Sequence, residues 1–252
     1  MKKIISIILI ATLCNINFLQ INAQEKSLLD YSKNEIIVMS DEEYLDLYGK
    51  YYIDAIEKEK TDVQIKNELS ELGIEFSKTE NISTRSISTD IDLNVTFSRR
   101  SGQSYTYVSA VATSNVTLVQ PATEDCMSIE WEPAKGSYYG YSNTQNTTLK
   151  DYSNRNNGIL VFNVQDVNMT RKGNYALASA LVKFNNNSNK GSIGINYFHT
   201  YNSAAPTLTI GGNLGYSSGL VSGGVSISLT VSYNNYVWQK EKDEIYVIFS
   251  KI

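Results

Sequence analysis

Residues 206–233 carry the pattern that most limits what this chain can become. Val225, Ile227, Leu229, Val231 and Tyr233 alternate with Ser226, Ser228, Thr230 and Ser232. A repeat of two fits a strand with one buried and one wet face; a helix, repeating every 3.6 residues, would scatter these side chains around its axis. Just upstream, Leu208, Ile210, Leu214 and Tyr216 stand against Thr207, Thr209, Gly211 and Asn213. Ser217-Ser218-Gly219 joins the two segments, so the stretch predicts a β-hairpin.

The same period governs most of the chain from Asp90 onward. Ile91, Leu93, Val95 and Phe97 alternate, and so do Met127, Ile129 and Trp131, then Tyr175, Leu177, Ser179 and Leu181. Tyr105 to Leu118 forms a further strand segment, and Ile159 to Val164 is a nearly unbroken apolar run suited to the middle of a sheet. Ile193, Ile195, Tyr197, His199 and Tyr201 share one face of another strand, and Tyr236–Trp238 and Ile245–Phe249 close the chain. Turns are predicted at Asn185–Lys190 and Lys240–Asp243, and a long loop over Gly136–Asn157. About ten strands with no helical crossover between them predict a mainly β fold, an antiparallel β-sandwich.

The N-terminal third has a different character. Lys2, Lys3 and the apolar run Ile4–Leu13 read as a signal peptide over residues 1–23, cleaved after Ala23. Cys14 follows the bulky Leu13, which is unlike a lipidation signal. Residues 24–80 hold fifteen acids against seven bases, whereas 81–252 hold eleven against thirteen. This asymmetry sets apart a small acidic β-α-α-β segment over 24–76. In it, Ile36–Met39 predicts a strand. Ser40 with Glu43, and Thr61 with Gln64, cap two helices, and Ile74–Phe76 returns to extended chain. Val63, Ile65 and Leu69 or Leu72 supply the apolar face of the second helix, with Gly73 as its stop. Residues 77–89, rich in Ser, Thr and Asn, read as a linker to the β-domain at 90–252. Cleavage at Arg85 within it would release the acidic segment as a pro-region; a permanent small domain is the alternative.

The residues exclude several chemistries. One histidine, His199, and, after leader removal, one cysteine, Cys126, cannot build a closed zinc site or an internal disulfide. No G-x-S-x-G elbow accompanies His199, and no calcium-loop motif is present. No metal, cofactor or catalytic group is expected, and no basic patch points to nucleic acid. Glu130 and Glu132 flank Trp131 at strand spacing and could serve glycoside hydrolysis, though a solvated strand face explains them as well.

Tyrosine is the distinctive residue, with 18 in the chain. Tyr138, Tyr139, Tyr141 and Tyr152, with Trp131, are the candidate ligand-binding residues, because exposed rings offer flat amphipathic contact at small entropic cost. The expectation is a secreted, non-enzymatic protein that contacts a glycan, a peptide or a lipid surface. The alternative is a membrane-active, pore-forming or bacteriocin-like effector using the 206–233 hairpin, whose strand lengths match a bilayer-spanning β-hairpin. Gly211, Gly212, Gly215, Gly219, Gly223 and Gly224 would give that hairpin its pliancy. A glycan hydrolase is the third reading.

Overall fold

The computed structural model describes residues 26–78, 83–86, 91–114, 125–144, 146–165, 168, 174–185, 190–201, 207–210, 227–230 and 236–247. The leader and its end at Ala23, the strand end at Val116–Leu118, and the hairpin glycines lie outside the described residues.

Three helices open the described chain: α1 (Lys33–Val38), α2 (Asp41–Glu57) and α3 (Asp62–Glu71). Each starts at a hydroxyl cap. Ser32 and Thr61 form capping boxes with Glu35 and Gln64, and the Ser40 hydroxyl accepts from Glu43 N at 3.2 Å. The first box corrects the expectation of a strand over Ile36–Met39. The Ser32 amide donates to Glu35 Oε2 at 2.7 Å, which holds that carboxyl down at about 2, and the box commits the β-branched run to a helical turn. Gly73 stops α3 as expected, with φ +72. Val63, assigned to the buried face of α3, is 67% exposed; Ile65 and Leu69 are the buried positions.

The strands are β1 (Ile74–Lys78), β2 (Ser83–Ser86), β3 (Ile91–Arg100), β4 (Thr106–Ser114), β5 (Asp125–Trp131), β6 (Gly136–Asn143), β7 (Thr147–Asp151), β8 (Ile159–Val164), β9 (Tyr175–Phe184), β10 (Lys190–Tyr201), β11 (Thr207–Ile210), β12 (Ile227–Thr230) and β13 (Tyr236–Val247). They form a five-stranded sheet in the order β1-β3-β4-β9-β6, a six-stranded sheet in the order β2-β13-β10-β5-β8-β7, and the pair β11-β12. Every pairing is antiparallel. The fold is therefore mainly β, two antiparallel sheets preceded by helices.

Three expectations are corrected here. The stretch read as a loop over 136–157 contains β6 and β7. Lys240–Asp243, read as a turn, lies inside β13, which pairs with β10 without interruption from Tyr236 to Val247. That tetrapeptide has no Gly, Pro or Asn to turn on, and its charges alternate in sign as on a solvated strand. The interval read as a linker includes the end of β1 and all of β2, where Arg85 pairs with Glu241 of β13.

Two cores flank the five-stranded sheet. Between the sheets, Ile91, Leu93, Val95 and Phe97 of β3 meet Met127, Ile129, Trp131, Phe162 and Tyr197 of the six-stranded sheet. The central strands contribute Ala110, Ala112, Ala176, Ala178 and Ala180 to that face, small side chains that leave room for the large rings opposite. On the outer face, Tyr107, Val111, Leu177 and Leu181 pack against Tyr44, Leu45, Tyr48 and Tyr52 of α2. Residues 26–78 are thus a layer of the same body. Tyr44, Tyr48 and Tyr52 recur every four residues, and their rings stack at 5.8 and 6.0 Å. Burial pushes the Tyr44 and Tyr48 hydroxyls well above their usual range, so both stay neutral under the sheet's Ser98 and Thr96.

One charge lies in this second core. Arg100, 2% exposed, ion-pairs with Asp41 and donates to the Ile36 and Met39 carbonyls at the end of α1. Asp41 also accepts from the Tyr105 and Tyr107 hydroxyls, at 2.7 and 2.5 Å. The guanidinium thereby satisfies helix-end carbonyls that have no intrahelical donor and fixes α1 and α2 to β3 and β4. Replacing Arg100 by Leu is expected to destabilise the fold by about 3 kcal/mol, since Asp41 loses its cation and the Ile36 and Met39 carbonyls lose their donor. Urea unfolding followed by circular dichroism measures this, and an unchanged midpoint contradicts the role.

Candidate functional site

The tyrosines singled out from the sequence converge on one side of the sandwich, where β6 and β7 are the edges of the two sheets. They reach it through a bulge. Tyr138 pairs with Val182 and Gly140 with Leu181, so Tyr139 is the extra residue. Without it, Tyr138 and Tyr141 would be three apart in an unbroken alternation and would face opposite ways. With it, Tyr138 opposes Val182 and Tyr141 opposes Ala180, both lining the inter-sheet core. Tyr138 packs against that core, and the Tyr141 ring lies 6.4 Å from Phe162.

The connection from β7 to β8 brings up the remaining groups. Asp151 accepts from the Ser153 amide at 2.6 Å, Asn154 from the Asn157 side chain at 3.1 Å, and a short 3₁₀ turn, Arg155–Asn157, follows. Gly158 closes that turn at φ +78, and its carbonyl accepts from Trp131 N at 2.8 Å. Arg155 is held so that its guanidinium lies 5.0 Å from the centre of the Tyr152 ring and 5.9 Å from that of Tyr138. Its Nη1 donates to the Tyr152 carbonyl at 3.1 Å. Partial burial raises the ionisation range of the Tyr138 hydroxyl, and Arg155 opposes that shift.

Tyr138 and Tyr152 are therefore gathered around Arg155, with Tyr141 on the same side of β6 as Tyr138; the sequence did not single out Arg155, since one arginine in an Asn/Ser turn carries no periodic signal. Tyr139 is separate. Its ring stacks on Tyr105 at 4.4 Å with 16° between planes, next to the Asp41 cluster. Among the described residues, Tyr139, Tyr141 and Tyr152 are the large aromatics left exposed, at 57, 44 and 52%. The helical layer leaves Leu29, Ile37, Val38, Ile56 and Val63 exposed.

Trp131 does not join this edge. It is 1% exposed in the inter-sheet core, and its indole N–H donates to the Gly136 carbonyl at 3.0 Å, so it supports β6 from beneath and offers no surface to a ligand. The two glutamates are differently placed. Glu130 is buried and accepts from Ser128 at 3.0 Å and Asn196 at 2.7 Å. Glu132 lies past the end of β5, its carbonyl accepting from Lys135 and Gly136 in the turn to β6. Cys126 is buried on β5 and in no disulfide, and His199 lies on β10 opposite Trp238. Among the described residues, no three His, Cys, Asp or Glu side chains converge as metal ligands, and no helix is long and apolar enough to cross a membrane.

No family model matches the chain, and no curated protein matches it by sequence. Among solved structures it is similar to the Clostridium perfringens NetB toxin in its membrane-inserted form. The identity is 9%, the coverage 68% of this chain and 100% of that one, and the TM-score 0.31. A structure described as a pore forming protein is similar at 8% identity, with 69% and 95% coverage and a TM-score of 0.33. Both are remote likenesses.

The turn that carries Arg155 depends on Gly158. A Cβ there would fall on the Trp131 carbonyl oxygen, in a backbone conformation L residues avoid. Gly158→Ala is expected to destabilise the protein by about 2 kcal/mol and to shift Trp131 fluorescence. Thermal melts and emission spectra of the variant check both; a wild-type melt refutes the pinning.

Proposed function

We propose that this chain is a secreted, non-enzymatic surface-binding protein that contacts a glycan, peptide or membrane surface through the aromatic edge of its sandwich. The observation that carries this reading is the placing of Tyr138 and Tyr152 about Arg155, with Tyr141 on the same side of β6, on elements fixed by backbone hydrogen bonds. Exposed rings on a rigid support lose little freedom when a ligand stacks on them, so more of the contact energy appears as affinity. The bulge supports the same reading, since it breaks a regular ladder in a way that brings two rings to one side. Glu130, held by Ser128 and Asn196, is accounted for by structure alone. A glycan array probed with the secreted protein tests the proposal. Tyr141→Ala and Tyr152→Ala should each weaken binding about tenfold or more with an unchanged melt, and equal binding by both variants refutes it.

A second reading rests on β11 and β12. Their register sets Leu208 opposite Leu229 and Ile210 opposite Ile227, with Thr209 opposite Ser228, so the pairing is in phase with the alternation of both segments. An amphipathic hairpin of this kind is what a strand-spanning, membrane-active effector would use. Dye release from vesicles tests it: leakage is expected from anionic or neutral liposomes at micromolar protein, and none across lipid compositions and pH removes the reading.

A further inference from the structure

The composition of the edge says more about its ligand than its aromaticity does. We infer that Arg155 and the rings of Tyr138, Tyr141 and Tyr152 form a subsite for an acidic sugar, one carrying a carboxylate or sulfate on a glycan chain. This rests on the surface-binding reading above and names the chemical class of its ligand.

Three observations lead there. Among the described residues no carboxylate pairs with Arg155, and apart from Nη1, which donates to the Tyr152 carbonyl, its N–H groups have no acceptor there. An arginine so placed keeps its planar donor fork available, and that fork matches the two oxygens of a carboxylate or sulfate. Second, β6 has no charged residue, and the carboxylate of Asp151, the acid nearest in sequence to Arg155, turns to the Ser153 amide rather than to the guanidinium. Third, the two rings against Arg155, those of Tyr138 and Tyr152, are phenols. Phenols stack on the C–H face of a pyranose and hydrogen-bond its hydroxyls. Charge and stacking face together fit an acidic saccharide.

The experiment uses the full secreted chain and matched probes: alginate oligosaccharides for the carboxylate, and dextran sulfate beside unsulfated dextran for the sulfate. Binding is followed by calorimetry at two salt concentrations. The expected result is tighter binding of one acidic probe than of dextran by at least tenfold. Arg155→Gln and Arg155→Lys should both lose that preference, because lysine keeps the charge but not the planar fork or the ring stacking. Lys58→Gln, which removes a unit of charge from the exposed face of α2, should leave it intact. An Arg155→Lys variant that binds like the wild type reduces the effect to general electrostatics and overturns the subsite. So does phosphatidylserine vesicle binding that competes with the saccharide and is lost with Arg155→Gln, which would make a lipid the occupant. If Tyr141→Ala and Tyr152→Ala abolish binding to a neutral glycan while Arg155→Gln changes nothing, the acidic-sugar inference fails and the surface-binding reading stands. If none of these variants alters binding to any saccharide, both fail.

Discussion

The five-stranded sheet has to hide both of its faces, and the two are hidden by different chemistry. One meets the six-stranded sheet through alanines, aliphatics and large rings, with the buried Asp125 carboxyl accepting from the Tyr197 hydroxyl at 2.5 Å. The other meets the helices through tyrosines, leucines and a valine, with a buried arginine at its end. Arg100 makes the second contact specific. An apolar surface would accept α2 in several rotations, whereas a guanidinium bound to two carbonyls and a carboxylate accepts one. The helical layer is therefore set against β3 and β4 in one register, and Asp41, Tyr105 and the stacked Tyr139 are placed by the same contact.

With both faces of the five-stranded sheet covered, its boundary on the β6 side and the adjoining β7–β8 turn remain open. The rings there stand on a firm base. Trp131 holds Gly136 from within, and a Cβ on Gly136 would come within 2.6 Å of Val182 and 2.7 Å of Phe184, so only glycine lets β6 approach β9 this closely. Tyr138 rests on the inter-sheet core, and Asn143 ties the far end of β6 to the Thr147 carbonyl at 2.6 Å.

How much of this was legible in the residues depends on how many faces a strand buries. β3 alternates cleanly, and β5 and β8 carry enough aliphatics to be recognised. β6 was hidden because it is an edge strand whose exposed and half-exposed positions are Tyr, Ser and Gly, and because the bulge breaks the period at Tyr139. β13 was hidden by charge: Lys240 to Glu244 looks like a solvated turn until its continuous pairing with β10 is seen. The short helix α1 departs from its residues' propensity in the opposite sense. Ile36, Ile37 and Val38 favour a strand by propensity, but the Ser32–Glu35 box was already present in the sequence as a start signal. At the site, the tyrosines could be found by abundance. Their grouping could not, since it depends on one inserted residue and on an arginine between β7 and β8 that meets Tyr138 of the other sheet.

The two boundary strands on this side share a defect. β6 is interrupted between Tyr138 and Gly140, and β7 between Leu149 and Asp151. An uninterrupted, sticky rim would invite a strand from a neighbouring molecule to continue the sheet, and so on into a fibre. Interruptions in both ladders deny such a neighbour a matching row of donors and acceptors, which lets the protein keep its phenol rings in water and still remain dispersed.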